Sequence, residues 1–104
     1  MQEIYSKISP KEPVCIIKRK AEAISGRQDL TKTHEVLQAS LCNFQQGVVA
    51  KPHTHNLQKR TTEKTQESIV IIKGKIESTV FDIDHRTILG KFQLSEGDCF
   101  IALS

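Results

Sequence analysis

Apolar residues in this chain come in short runs, each closed by turn-forming residues, and that punctuation limits the folds open to it. PVCIIKR (13–19) reads as a strand with an apolar centre. VLQASLCNF (36–44) alternates: Leu37, Ala39, Leu41 and Asn43 share one face, and Val36, Gln38, Ser40, Cys42 and Phe44 the other. That is the period of a strand. Gln45-Gln46-Gly47 forms a turn, and VVAKPHTH (48–55) follows as a strand that Pro52 makes irregular or places at an edge. NLQKRTTEKTQ (56–66) is a polar loop, ESIVIIKG (67–74) a β-branched strand, and KIESTVFDI (75–83) another. Asp84-His85-Arg86 turns the chain so that TILGKFQL (87–94) returns as the hairpin partner. After the turn Ser95-Glu96-Gly97-Asp98, CFIAL (99–103) begins one more strand. AEAISGRQDLTKTHE (21–35) is polar and broken at Gly26, which reads as a loop with at most a helical turn. Short strands about 8–12 residues apart, with no convincing helix, predict an all-β sandwich or barrel.

A chain of 104 residues holds one domain. With no tryptophan and four phenylalanines, its core is expected to be aliphatic. The net charge of +3 is spread among interrupting acids, too mild a balance to argue for nucleic acid. No segment approaches the roughly 18 apolar residues of a membrane span, and MQEIYSKISPKEP lacks the pattern of a signal peptide. Cys15, Cys42 and Cys99 are odd in number and widely spaced, which reads as three reduced core thiols of a cytoplasmic protein. No GxSxG, Walker or GxGxxG pattern supports a hydrolase or nucleotide reading. Cys99 lies in an apolar strand, where a thiol is usually inert.

The chemistry-bearing feature is His53-Thr54-His55. Side chains two apart on a strand point the same way, with α-carbons about 6.5 Å apart. Two imidazoles so placed can converge on one ion about 2.1 Å from each nitrogen. Glu67 opens the following strand, and antiparallel pairing would bring its carboxylate beside them. Two histidines and a carboxylate with open positions suit iron, manganese or zinc. Taken alone, an HxH pair is more often two solvated side chains. His85, in a turn, and His34, before a strand, read as surface residues.

The surrounding spacing adds to this. Gly47, five residues, His53-Thr54-His55, then Glu67, six residues and Gly74 resembles the first motif of the cupin superfamily, G(X)5HXH(X)3–4E(X)6G. The departure is the interval from His55 to Glu67, eleven residues long. Gly97-Asp98 looks like the start of the second motif, G(X)5PXG(X)2H(X)3N, with Leu103 where proline is usual and the motif's histidine past Ser104. The resemblance implies a cupin-type jelly-roll barrel over residues 36–104, incomplete at its C-terminal end. It leaves residues 1–35 as an N-terminal strand and loop segment able to join a dimer. It also implies a divalent metal ion (iron, manganese, zinc or nickel) held by His53, His55 and Glu67, with a fourth ligand past the chain end.

Two functional classes follow: a metal-dependent dioxygenase, isomerase or epimerase, or a non-catalytic module that binds a sugar or other small molecule. Arg60 and Gln66 are the polar candidates for ligand contact, and Lys59, Arg60 and Lys64 would favour a small polar or anionic metabolite. Ile69 and Ile71 would share the inward face of Glu67. Val70 and Ile72 would lie outward, under a cover supplied by residues 1–20 or by a second subunit of a homodimer.

Overall fold

The computed structural model describes residues 1–104 and is all-β, with eight strands and a single 3-10 turn at Lys20–Glu22. β1 (Gln2–Tyr5) pairs antiparallel with β2 (Pro13–Lys18). β3 (Gly26–Asp29) and β4 (Ser40–Asn43) form a two-stranded ladder, and β6 (Lys75–Phe81) pairs with β7 (Ile88–Ser95) as a hairpin. β5 (Glu67–Val70) and β8 (Cys99–Ala102) complete a four-stranded sheet of order β1-β2-β8-β5. The three sheets do not close into one barrel.

β2 explains the layering. Its run Val14-Cys15-Ile16-Ile17 is buried throughout, as expected of an inner strand covered on both faces. Alternation sends Cys15 and Ile17 to one side, where they meet Ile4, Ile71, Val80 and Leu94. Ile16 goes to the other side and meets Leu30, Cys99, Ile101 and Leu103. The β6–β7 hairpin thus covers one face of the sheet and the β3–β4 region the other. Val80 and Leu94 come from the first, and Leu37, Ala39 and Leu41 pack from the second.

Two buried carboxylates join distant parts of the chain. Asp98 Oδ1 accepts the Lys20 N–H at 2.9 Å, and Oδ2 accepts the Ser95 N–H at 2.9 Å and Arg19 Nη1 at 3.0 Å. Burial pushes this carboxyl up, but those donors outweigh it and hold it below its ordinary value. Asp82, 2% exposed, accepts the Lys7 and Ile83 N–H groups at 2.8 Å. Burial raises it as well, and the Ser6 hydroxyl with the backbone donors brings it below the ordinary value. Gly97, between Ser95 and Asp98, has φ +82°, and a Cβ there would stand 2.6 Å from Lys20 Cδ.

Several sequence expectations are corrected. VVAKPHTH forms no strand: residues 44–66 carry no ladder, and residues 42–65 are all exposed. Pro52 has no N–H to give a ladder, and the short bonds present are local, such as Val48 N to Gln45 O. The 21–35 segment contains β3 as well as loop. The 36–44 strand shortens to β4 because the Leu37 N–H goes to Gln66 Oε1 and the Ala39 N–H to Thr31 Oγ1, outside any ladder. Cys15 and Cys99 are buried, but Cys42 is exposed because it pairs with Arg27 across an outward-facing position. In β5, Ile71 just beyond the strand end is in the core, whereas Glu67 and Ile69 are exposed. Val70 and Ile72 are 52% and 85% exposed, and residues 2–18 lie on the far side of β8 from them. The last strand is not an open edge, since β8 sits between β2 and β5.

Candidate functional site

The histidine pair faces the β3–β4 ladder. On β3, Gln28 turns inward while Arg27 and Asp29 stay exposed on the other face. Arg27 Nε donates to Asp29 Oδ1 at 2.9 Å. Both side chains are more than half exposed, so this pair adds little stability. It occupies Nε and leaves the terminal nitrogens of Arg27 without a bond in the chain. Past β3 the chain makes a compact loop to β4. The Leu30 N–H donates to Ala39 O, and Gln38 Nε2 donates to Lys32 O and Glu35 O.

Residues 53–60 cross over this loop. Arg60 Nη1 donates to Thr33 O at 3.4 Å and also to Glu35 O, and Nη2 reaches Gln58 Oε1 at 3.3 Å. Two adjoining hollows lie between the crossing segment and the ladder. The more enclosed, about 280 Å³, has Arg27, Asp29, Thr31, Ser40, His53 and His55 on its wall. The wider, about 550 Å³, shares Arg27, Asp29 and His55 and adds Asn56, Gln58 and Arg60. The two imidazoles stand with ring centroids 5.2 Å apart, tilted 60° to each other. His53 Nδ1 lies 3.3 Å from Lys51 O. In the tautomer that donates this bond, Nε2 carries the free lone pair.

The other expected site residues lie elsewhere. Glu67, on β5, pairs with Ala102 of β8 and lines neither hollow that holds the histidines. Gln66 Oε1 accepts the Leu37 N–H at 2.8 Å, and its Nε2 donates to Glu35 Oε2 at 2.5 Å. It lines a third hollow of about 400 Å³ with Lys11, Glu12, His34, Glu35 and Lys64. There Lys64 Nζ meets Glu12 Oε1 at 2.8 Å and His34 Nε2 lies 3.4 Å from Glu35 Oε1. The bond from Lys64, then that from Ser104, holds the Glu12 carboxyl below its ordinary value. The charged groups of this hollow are largely matched to one another, as in a structural tie.

No protein family, curated protein or solved structure matches this chain.

The cupin resemblance implies a metal ion held by His53, His55 and Glu67. No three side chains among His, Cys, Asp and Glu converge on one point. The expected set splits, with His53 and His55 together and Glu67 apart, so the three do not form one ligand set. Sequence reasoning missed Arg27, Asp29 and Thr31. The signal was present in Gly26-Arg27-Gln28-Asp29, where charges two apart after a glycine suit the exposed face of a short strand. No helix is long and apolar enough to cross a membrane.

Proposed function

We propose that this chain is a small-molecule-binding β-domain whose ligand, a small polar metabolite, enters the hollow between the β3–β4 ladder and residues 53–60. The observation that carries the reading is that His53 and His55 line one hollow with Arg27, Asp29 and three hydroxyl side chains, Thr31, Thr33 and Ser40. A concave site with a few convergent polar groups is where a ligand is fixed and oriented. The cupin-type jelly roll belongs to the same proposal, supported by the motif spacing and the all-β character. Free cysteines support a cytoplasmic setting. The exposed Val70 on the outer strand β5, and exposed Ile72 just beyond it, support a homodimer.

The test is two-dimensional NMR of the labelled chain with neutral sugars, amino acids and carboxylic acids added at millimolar concentration. Shifts confined to Arg27, Asp29, Thr33, His53, His55 and Arg60 are the expected result. If no compound moves these signals, the reading fails.

A second reading, the metalloenzyme (a dioxygenase, isomerase or epimerase), is favoured by one observation, the 5.2 Å separation of the imidazoles. On this reading the pair holds the divalent ion, with ligands other than Glu67 completing its shell. Equilibrium dialysis against zinc, nickel, manganese and iron(II) should then give uptake that the His53→Ala/His55→Ala double variant loses. Equal uptake by both proteins would rule the pair out as ligands.

A further inference from the structure

We infer that this site is built for an oxyanion, so that its ligand carries a phosphate or carboxylate group on a polar body. The inference rests on the binding reading above and names the ligand's chemical class. The first reason is the supply of donors. Arg27, His55 and the hydroxyls of Thr31, Thr33 and Ser40 line the smaller hollow. Each can donate a hydrogen bond to an anionic oxygen.

The second reason is charge. Two guanidinium groups, Arg27 and Arg60, border the joined hollows, against one carboxylate, Asp29. That carboxylate is already engaged by Arg27 Nε. A cationic ligand would meet two fixed positive charges and a carboxylate already in use. An anion meets the opposite.

The third reason is the free end of Arg27. Asp29 takes Nε, and the two terminal nitrogens of Arg27 make no bond within the chain. With Nε occupied, the terminal N–H groups of Arg27 are free to form the fork that matches two oxygens of a carboxylate or phosphate. Arg60 differs. Its terminal nitrogens are spent on Thr33 O, Glu35 O and Gln58 Oε1, so it supplies charge and closes the wall. The fourth reason is the lining, in which each hollow has a single hydrophobic residue. The body attached to the anionic head therefore presents hydrogen-bonding groups, and the wider hollow has room for it.

The experiment titrates the full chain with inorganic phosphate at low ionic strength, followed by NMR, with glucose as the uncharged probe. Arg27→Gln is the decisive variant. The Arg27 side chain is largely exposed, so the substitution should fold normally, with an unchanged thermal midpoint as the check. Phosphate is expected to shift signals from Arg27, Thr31, His53 and His55. Loss of the charged fork should weaken it roughly tenfold or more. Phosphate binding of equal strength in Arg27→Gln would overturn the inference. So would binding of glucose without phosphate, although the binding reading would then stand. If neither phosphate, glucose nor any compound of the NMR panel perturbs the hollow, both fall together.

Discussion

Replacing Asp98 by asparagine should destabilise the domain far more than its single-atom change suggests. The carboxylate is 6% exposed and accepts three hydrogen bonds, one on Oδ1 and two on Oδ2. Asparagine keeps one acceptor oxygen. Its better orientation leaves that oxygen facing Ser95 N–H and Arg19, and turns the new NH2 toward the Lys20 N–H. Two donors then face each other, and one backbone N–H is stranded in a buried turn. An unsatisfied group of this kind costs about 1–3 kcal/mol. For a domain of this size, about 2 kcal/mol lowers the midpoint of thermal unfolding by roughly 8–16 °C. Circular dichroism melts of both proteins at pH 7 measure it. The pH dependence supplies an independent check. The folded-state pKa of Asp98 lies below its ordinary 3.8, so its contribution is fully present above that value and is lost as pH falls through the folded value. Other carboxylates titrate alike in both proteins, so the difference between the two melts isolates Asp98. That difference should be constant from pH 7 to about 5 and shrink below about 4. A loss under about 2 °C at pH 7, or a gap that stays constant down to pH 3, would refute the reasoning.

Three further outcomes follow from the packing. Ile101 is fully buried at the centre of one core cluster, so Ile101→Ala should cost about 2–5 kcal/mol in urea unfolding. Gly97→Ala should cost about 1–2 kcal/mol from its left-handed backbone alone, with Lys20 displaced in addition; an unchanged midpoint would contradict the geometry. Iodoacetamide at pH 8 should label Cys42 in the native protein and leave Cys15, whose thiol burial pushes up to about 12, unlabelled until the chain is unfolded, as mass spectrometry would read directly.

Strands were legible wherever burial follows a period. The β6–β7 hairpin and its turn at Asp84–Arg86 could be read because apolar and polar residues alternate on both arms. β2 was legible from its apolar run alone. β3 was not, because a ladder hydrogen-bonds through its backbone whatever its side chains are, and GRQD carries no apolar signal. The reverse error occurred at VVAKPHTH, whose β-branched start has nothing beside it to pair with. In the site, the two imidazoles lie 5.2 Å apart, but not through the strand period expected of them, since residues 44–66 carry no ladder. Their neighbours could not be read from spacing either. Arg27 and Asp29 reach them through a fold-level crossing of residues 53–60 over the β3–β4 loop, and no sequence period encodes such a crossing.

That crossing also predicts where the site is soft. One wall is a hydrogen-bonded ladder, whereas the other is an exposed segment held mainly by long side chains: Arg60 to Thr33 O and Glu35 O, Lys64 to Glu12, and Gln66 to Leu37. Segments with few buried contacts open at a small fraction of the global unfolding free energy. Arg60→Gln removes the tether nearest the histidines and touches no core residue. It should therefore lower the backbone heteronuclear NOE across residues 53–60 while leaving the thermal midpoint within about 2 °C. An unchanged NOE would mean that the segment is held by something other than Arg60. A fall of many degrees would mean that the crossing is part of the core and not a yielding wall. In the expected case, a ligand that bridges Arg27 and the histidines must order the segment as it binds. Its affinity would then be reduced by the entropy of that ordering, and it would raise the heteronuclear NOE of the same residues.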